Sequence, residues 1–195
     1  MNELNIKTLE FQFDFLIDEI REGNIFVYPT DTIYGIGCQA DNNMAVKKIF
    51  ELKKRENKPF LIIAPSKEWI FENCEIDKTQ KDYINSKLPG QVSFILKLKK
   101  SSVENNIISP ELLCGGDTIG IRIPDCKFTD LISKLNKPFV TTSVNISGEP
   151  SALSIEEIPK DIFEKVDYIV NSNEKMSGKS SSIFDLTNGS VNKIR

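Results

Sequence analysis

Residues Tyr28–Gly37, YPTDTIYGIG, lie where the sequence changes from an apolar segment to a polar loop. The preceding residues Ile25–Val27 are all apolar, which is typical of a short buried strand. Thr30–Thr32 then offer two hydroxyl groups and a carboxylate, and Gly35 and Gly37 permit close approach of the backbone. Because ligands of open α/β sheets bind on loops beyond the strand ends, this stretch predicts either a strand with a turn or one wall of a binding site.

Helical and strand patterns alternate on both sides of this stretch. Apolar residues at helical spacing predict helices, and short apolar runs bounded by Pro, Gly or polar residues predict strands. The predicted helices cover residues 9–20, 42–52, a short segment from 66, 77–88, 128–135 and 155–165. The predicted strands cover residues 25–28, 60–64, 92–98, 118–123, 139–142, 168–170, 182–186 and 191–194. This order predicts an α/β fold over residues 1–195, in which a single domain has a twisted mixed β-sheet with flanking helices.

The composition is that of a globular protein without a membrane segment. Of the 195 residues, 39% are hydrophobic and 27% are charged, and the formal net charge is −3. This mild acidity argues against a protein whose main task is to clamp nucleic acid. The sequence has no 18-residue apolar run, and its N-terminus lacks the basic and apolar blocks of a signal peptide. We therefore expect a cytoplasmic protein.

The absence of histidine limits the chemistry most sharply. It excludes Ser-His-Asp and Cys-His catalytic arrangements and every zinc site that needs imidazole. It also removes the usual general base near neutral pH. If the protein is an enzyme, it must act by positioning its substrates and by electrostatic stabilisation.

Four polar loops at strand boundaries are candidate ligand-binding segments. They are Pro29–Thr32, Lys53–Pro59, Thr141–Gly148 with Ser151 beyond it, and Lys179–Ser182. Taken singly, each is more often an ordinary turn or a solvated helix end. Together they offer the hydroxyl donors, backbone amides and guanidinium groups that a nucleotide needs.

The order of these motifs resembles that of a known family. YPTDTIYGIG, the Lys53-x-Arg55 segment, LPGQVSFILK, TIGIRIP, TTSVNISGEPS and SSSIFDL follow one another between about Ile25 and Arg195. This combination is similar to the YrdC family of threonylcarbamoyl-AMP synthases, in the short bacterial form without an extra C-terminal domain. The resemblance implies a YrdC-like fold with a concave ligand pocket.

The resemblance also implies an activity and its partners. A nucleotidyltransferase of this family converts L-threonine, bicarbonate or CO2, and ATP to threonylcarbamoyl-AMP and pyrophosphate, for N6-threonylcarbamoyladenosine at position 37 of tRNA. The expected cofactor is Mg²⁺ that enters with ATP, without metal ligands from the protein. The expected partners are these substrates, a threonylcarbamoyl transferase complex that acts next, and a tRNA contact.

The same resemblance assigns roles to residues. Threonine would contact Thr32, Arg122 and Ser181, and the catalytic residues would be Lys53 and Arg55. The implied nucleotide-binding residues are Arg55, Lys58, Thr118, Ser143, Asn145, Ser151 and Arg195.

Two alternative functions remain open at this point. A YrdC-like RNA-binding protein would use the basic run Lys47–Lys58 together with Lys97, Lys99 and Lys100 to contact phosphates. A carbamoyl transferase would take its carbamoyl group from carbamoyl phosphate, a chemistry that a related domain serves inside a larger maturation protein.

Overall fold

The computed structural model describes residues 2–55, 58–172 and 176–195. Glu56 and Asn57, which belong to the predicted polar loop Lys53–Pro59, lie outside the described residues. The strands are β1 (Asn2–Asn5), β2 (Phe26–Pro29), β3 (Tyr34–Gly37), β4 (Leu61–Ile63), β5 (Val92–Lys97), β6 (Thr118–Arg122), β7 (Phe139–Ser143), β8 (Tyr168–Asn171), β9 (Ser182–Asp185) and β10 (Asn192–Lys193). The α-helices are α1 (Phe13–Arg21), α2 (Asn43–Leu52), α3 (Lys67–Asn73), α4 (Lys78–Lys87), α5 (Lys100–Glu104), α6 (Lys127–Leu135) and α7 (Lys160–Phe163).

The described strands form one mixed sheet in the order β1-β8-β2-β3-β7-β4-β6-β5-β9-β10. Four neighbouring pairs are parallel, namely β1 with β8, β2 with β8, β4 with β6, and β5 with β9. The other pairs are antiparallel. The predicted fold class, a mixed sheet with flanking helices, is confirmed.

The stretch YPTDTIYGIG forms a β-hairpin that the sequence analysis recognised only in part. Tyr28 in β2 pairs with Gly35 in β3, so the polar residues 30–33 form the loop between the two strands. Strand β3 was not predicted, although its side chains Tyr34 and Ile36 are buried. It pairs in turn with β7, where Gly35 lies opposite Ser143. The hairpin thus brings the first and third predicted polar loops together.

The core lies on both faces of the sheet. In β2, Val27 faces a cluster that includes Ile49 of α2, whereas Phe26 and Tyr28 face a cluster that includes α1 and α6. Because successive side chains of a strand point to opposite faces, a strand that is apolar at every position is buried on both sides. This double burial fixes the hairpin rigidly beneath its loop.

Gly37 shows how closely the strands pack at the hairpin. A Cβ atom at this position would lie 1.8 Å from the carbonyl oxygen of Val140 in β7. The predicted role of Gly37, close approach to a ligand, is therefore wrong, because its close neighbour is the backbone of β7. Gly35 does line the cavity described below.

Two helical predictions differ from the structure, and two elements were not predicted. The predicted helix 9–20 begins as a 3₁₀-helix, Ile6–Gln12, because Ile6 and Leu9 pack into one cluster at the i, i+3 spacing that suits three residues per turn. The predicted helix 155–165 is divided into the 3₁₀-helix Ile155–Glu157 and α7, since Pro159 forces the residue before it into an extended conformation. Strand β1 and helix α5 were not predicted.

Among the described residues, no helix combines the length and apolar character that membrane crossing requires.

Candidate functional site

A cavity of about 160 Å³ lies beside the loop of the β2–β3 hairpin. Its lining residues are Thr30, Thr32, Ile33, Gly35, Leu61, Arg122, Thr141, Thr142, Ser143, Ser151, Ser180, Ser181 and Arg195. They come from the hairpin, from the strands β4, β6 and β7, and from the C-terminal segment. This volume is below the roughly 300–1,000 Å³ of pockets that enclose drug-sized ligands, so its size matches a small molecule such as an amino acid.

Hydroxyl groups of the hairpin loop are held in place by hydrogen bonds within the loop. Thr30 Oγ1 lies 2.9 Å from Thr32 Oγ1 and donates to the carbonyl oxygen of Ile33 at 2.7 Å. The backbone N–H of Thr32 donates back to Thr30 Oγ1 at 3.1 Å. Thr30 therefore fixes the loop, and the buried Thr32 presents its hydroxyl to the cavity.

Arg122 at the end of β6 provides a buried positive charge in the cavity wall. Its Nη2 forms an ion pair with Asp31 Oδ1, and its Nη1 lies 3.5 Å from Thr32 Oγ1. The two side chains of the ion pair are only 6% and 8% exposed. Arg122 Nε is buried and has no hydrogen-bond partner among the described residues, so this donor remains for a ligand.

The C-terminal segment closes another side of the cavity. Ser181 is buried, and its Oγ lies 2.9 Å from Ser93 Oγ in β5. Arg195 exchanges backbone hydrogen bonds with Ile183, and its Nε donates to the carbonyl oxygen of Ser181 at 3.1 Å. The strand pairing of β9 with β10 thus places the guanidinium of Arg195 next to Ser181.

Lys53, just after α2, organises the turn that follows β7. Its Nζ donates to the carbonyl oxygen of Ser143 at 2.6 Å, to that of Asn145 at 2.9 Å, and to Asn145 Oδ1 at 2.8 Å. Burial, with a smaller effect of the nearby Arg55 charge, lowers the pKa of Lys53 to about 7. Since all three donors of the ammonium group are used, the geometry gives Lys53 the role of holding this turn.

Ser143 and Asn145 are linked within the same turn. Ser143 Oγ donates to Asn145 Oδ1 at 2.6 Å, and Asn145 Nδ2 donates to the carbonyl oxygen of Glu149 at 2.6 Å. Ser143 lines the cavity, whereas Asn145 lies behind it. Through these hydrogen bonds, Lys53 helps to fix the position of the Ser143 hydroxyl in the cavity wall.

The remaining predicted nucleotide residues lie outside the cavity lining. Arg55 folds back along the chain, where its Nε and Nη2 donate to the carbonyl oxygens of Lys58 and Pro59 at 3.1 and 3.0 Å. Its guanidinium lies 4.9 Å from the centre of the Phe60 ring, and partial burial lowers the pKa of Arg55. Lys58 is exposed, and Thr118 begins β6 opposite Lys97.

The cavity brings together six of the predicted site residues, which are Thr32, Arg122, Ser143, Ser151, Ser181 and Arg195. The sequence analysis marked the segments that hold Thr30, Thr141, Thr142 and Ser180 but did not select these residues. Ile33 lies within the predicted stretch Tyr28–Gly37 but was not selected, and Leu61 was not predicted as a site residue, because apolar residues at a strand end give no signal beyond that of a core residue.

Asp31 provides a carboxylate beside the cavity, and it too was not among the predicted site residues. Both of its oxygens are engaged, Oδ1 with Arg122 and Oδ2 with the backbone N–H of Asp125 at 3.2 Å. Among the described residues, no group of three or more His, Cys, Asp or Glu side chains could hold a metal ion. The site thus consists of hydroxyl and guanidinium groups, which suits the binding of anionic ligands.

The fold and the cavity together define an α/β protein whose concave polar site lies on loops at the strand ends. A sequence model of the Sua5/YciO/YrdC family, described as telomere recombination, matches residues 18–195, and the chain therefore belongs to this family. The resemblance inferred from the motifs is thereby confirmed.

Named relatives are found among both sequences and structures. A Methanocaldococcus jannaschii protein, provisionally named as a threonylcarbamoyl-AMP synthase, is 36% identical over 99% of this chain and 89% of its own length. The threonylcarbamoyl-AMP synthase of Pyrococcus abyssi is 33% identical over 86% of this chain, which spans 48% of that relative's length. The crystal structure of P. abyssi Sua5 complexed with L-threonine covers this whole chain with a TM-score of 0.88 at 28% identity, and the chain covers 57% of it.

Proposed function

We propose that this protein is a threonylcarbamoyl-AMP synthase that forms threonylcarbamoyl-AMP and pyrophosphate from L-threonine, bicarbonate or CO2, and ATP. The observation that carries the proposal is the cavity itself, in which six residues predicted to bind threonine or the nucleotide converge from distant parts of the sequence. The names of the relatives from M. jannaschii and P. abyssi support the same activity.

Threonine binds between the hairpin loop and the C-terminal segment. Its carboxylate pairs with Arg122, whose Nε is a buried donor without a partner in the part of the chain that the structure describes. Its hydroxyl and amine lie within reach of Thr32 and Ser181, two buried hydroxyl-bearing residues on opposite walls of the cavity. The crystal structure of P. abyssi Sua5 with bound L-threonine supports this choice of ligand.

ATP binds along the rim formed by β7 and the C-terminal segment. Ser151 and Arg195 line the cavity there and offer a hydroxyl group and a guanidinium to the phosphates. Ser143 also lines this rim, but its hydroxyl proton is donated to Asn145 Oδ1. Arg55, Lys58 and Thr118 are further nucleotide ligands outside the cavity, because a nucleotide is larger than the cavity and must extend beyond it. Lys53 and Asn145 act behind this rim by fixing Ser143.

This site suits a reaction that needs no histidine. The amine of threonine captures CO2 to give a carbamate, and a carbamate oxygen attacks the α-phosphorus of ATP while pyrophosphate leaves. Both reactants are anionic, so the barrier arises largely from charge repulsion and from the need for orientation. Guanidinium groups and fixed hydroxyl donors reduce both, and good orientation alone can supply about 7–11 kcal/mol.

Magnesium enters with ATP in this proposal. The described residues offer no cluster of metal-binding side chains, and both oxygens of Asp31 are already engaged. Phosphate oxygens of the nucleotide would therefore hold most of the coordination sphere, with cavity hydroxyls as further neighbours. The bound ion would neutralise phosphate charge.

The lysine-rich surface gives little support to the alternative of RNA binding. Lys47 pairs with Glu111, Lys54 with Asp161, and Lys100 with Glu104. Lys53 is buried. Phosphate binding needs uncompensated positive charge, and these pairs reduce it. We further propose that the protein acts in the cytoplasm and supplies the adenylate to a threonylcarbamoyl transferase complex, which then modifies tRNA.

The direct test is to incubate the purified protein with ATP, Mg²⁺ and bicarbonate, with and without L-threonine. Pyrophosphate release and the adenylate product are followed, the latter by mass spectrometry. Threonine-dependent pyrophosphate together with a threonylcarbamoyl-adenylate peak is the expected result. ATP that stays intact in the presence of all substrates would overturn the proposal, and binding of tRNA would then be measured.

A further inference from the structure

Asp31 occupies a junction between three segments that surround the cavity. Its Oδ1 pairs with Arg122 Nη2 at the end of β6, and its Oδ2 accepts the backbone N–H of Asp125 three residues later. Its own carbonyl oxygen accepts a hydrogen bond of 2.6 Å from Gln91 Nε2, just before β5. One residue of the hairpin loop thus fixes the ends of two other strands.

From this junction we infer that Asp31 is a positioning residue, which orients the Arg122 guanidinium so that Nε stays free for the carboxylate of an amino-acid substrate. This inference rests on the proposed function, because it deepens the role of Arg122 as the threonine carboxylate ligand. Asp31 itself does not contact the substrate carboxylate, since both of its own oxygens are engaged by the protein.

The chemistry of the pair favours this arrangement. An arginine side chain has many rotamers, and the Arg122 guanidinium would lose its fixed orientation without a buried partner. A carboxylate partner also offsets the cost of burying a positive charge in the cavity wall. Asp31 takes one of the nitrogens, and Nη1 lies near Thr32 Oγ1. Within residues 2–55, 58–172 and 176–195, Nε has no hydrogen-bond partner.

An asparagine at this position would keep the shape and lose the charge. Asp31→Asn should weaken L-threonine binding by about tenfold or more, because a misplacement of about 1 Å can cost roughly 100-fold. ATP binding, which lies on the other rim, should change less than about twofold. Both affinities are measured by titration calorimetry. The control is Asp14→Asn, which removes an exposed ion pair with Lys134 and should leave both affinities unchanged.

A second measurement follows the hydrogen exchange of the Arg122 side chain in the absence of ligand. The Nε–H resonance of Arg122 is assigned by its disappearance in Arg122→Lys, and its hydrogen exchange rate is compared between the wild type and Asp31→Asn. Exchange should be at least about tenfold faster in Asp31→Asn, because a neutral amide oxygen holds the guanidinium more weakly than a carboxylate does. If Asp31→Asn does not fold, Asp31→Glu is used for both measurements, since it keeps the charge and displaces the carboxylate by one methylene.

Weaker threonine binding with unchanged ATP binding and faster Arg122 exchange would support the inference. Unchanged threonine affinity, or equal losses for threonine and ATP, would overturn it. If the wild type binds no threonine, the proposed function fails, and the exchange rate of Arg122 still decides whether Asp31 orients it.

Discussion

Lys53 Nζ lies 2.8 Å from Asn145 Oδ1, although the two residues are 92 positions apart in the sequence. The same ammonium group also reaches the carbonyl oxygens of Ser143 and Asn145. A charged group therefore fixes the turn from which Ser143 projects into the cavity. This relationship makes Lys53 a structural support of the site, and its loss should be visible in stability as well as in activity.

Replacing Lys53 with methionine should lower the free energy of unfolding by about 2 kcal/mol, because buried oxygen acceptors are left without a donor. Chemical denaturation measures this change. Lys54→Met is the matched control, since Lys54 is exposed and pairs only with Asp161 at 3.6 Å. The control should stay within about 0.5 kcal/mol of the wild type. Equal stability of the two variants would contradict the structural role of Lys53.

The stability difference between the wild type and Lys53→Met should also depend on pH. The pKa of Lys53 is lowered to about 7 in the folded protein, below its ordinary value, mainly by burial. At pH values between this pKa and the ordinary lysine pKa, the unfolded chain binds more protons at this residue than the folded chain does. The wild type should therefore gain stability relative to Lys53→Met as the pH rises above 7, by at most about 1.4 kcal/mol per pH unit.

Denaturation of both proteins between pH 7 and 10 measures this gain. Comparing the two proteins cancels the titration of cysteines, tyrosines and other lysines that they share. A constant difference over this range would show that the three oxygen acceptors keep Lys53 protonated despite its burial.

The sequence predicted which strand ends contribute to the site, but it did not predict the hairpin that forms one wall of the cavity. Thr32, Arg122, Ser143 and Ser181 stand at or next to strands whose apolar runs are clear, so their loops could be placed by pattern alone. Strand β3 was missed because it follows the previous strand after only four residues and carries two glycines, which read as a turn. The β2–β3 hairpin beside the cavity was therefore recognised only in the structure.

The pairing of Asp31 with Arg122 could not be predicted from the sequence either. The two residues lie 91 positions apart, and no local pattern links a loop aspartate to a strand-end arginine. Arg55 and Lys58 illustrate the opposite case, because motif resemblance selected them while the structure leaves them outside the cavity lining. Local patterns record strands and loops, whereas side-chain pairing depends on the sheet order that folding produces.

Gly37→Ala should destabilise the protein by about 3 kcal/mol, because the new Cβ would lie 1.8 Å from the carbonyl oxygen of Val140. The nearest atom belongs to the backbone of β7 and the buried Phe139 ring lies next to it, so no cheap local shift relieves the clash. The control is Gly116→Ala, whose Cβ would meet its nearest neighbour, the carbonyl oxygen of Leu113, at 3.4 Å. Thermal unfolding distinguishes the two variants. A melting temperature of Gly37→Ala equal to that of the control would mean that β3 and β7 pack less closely than described.

Arg55→Ala should lower turnover by at least about tenfold, because a charge-assisted hydrogen bond to a phosphate contributes about 1.5–3 kcal/mol. The fold should persist, because the guanidinium is only partly buried and its acceptors, the carbonyl oxygens of Lys58 and Pro59, lie close to water. Steady-state pyrophosphate release with varied ATP measures the effect. Arg21→Ala removes an exposed arginine that pairs with Asp18 and serves as the control. Wild-type turnover in Arg55→Ala would remove this residue from the site.

Thr32→Ala should raise the threonine KM by about tenfold and leave the ATP KM within about twofold of the wild type. The hydroxyl of Thr32 lies between Thr30 Oγ1 and Arg122 Nη1, so its loss removes one hydrogen-bond acceptor for the ligand and one support of the guanidinium. Losing a single hydrogen bond of about 1–1.5 kcal/mol corresponds to this fold-change. Thr32→Ser keeps the hydroxyl and should restore most of the threonine affinity. If both KM values rise equally in Thr32→Ala while Thr32→Ser resembles the wild type, the hydroxyl serves the whole cavity, and its assignment to threonine is wrong.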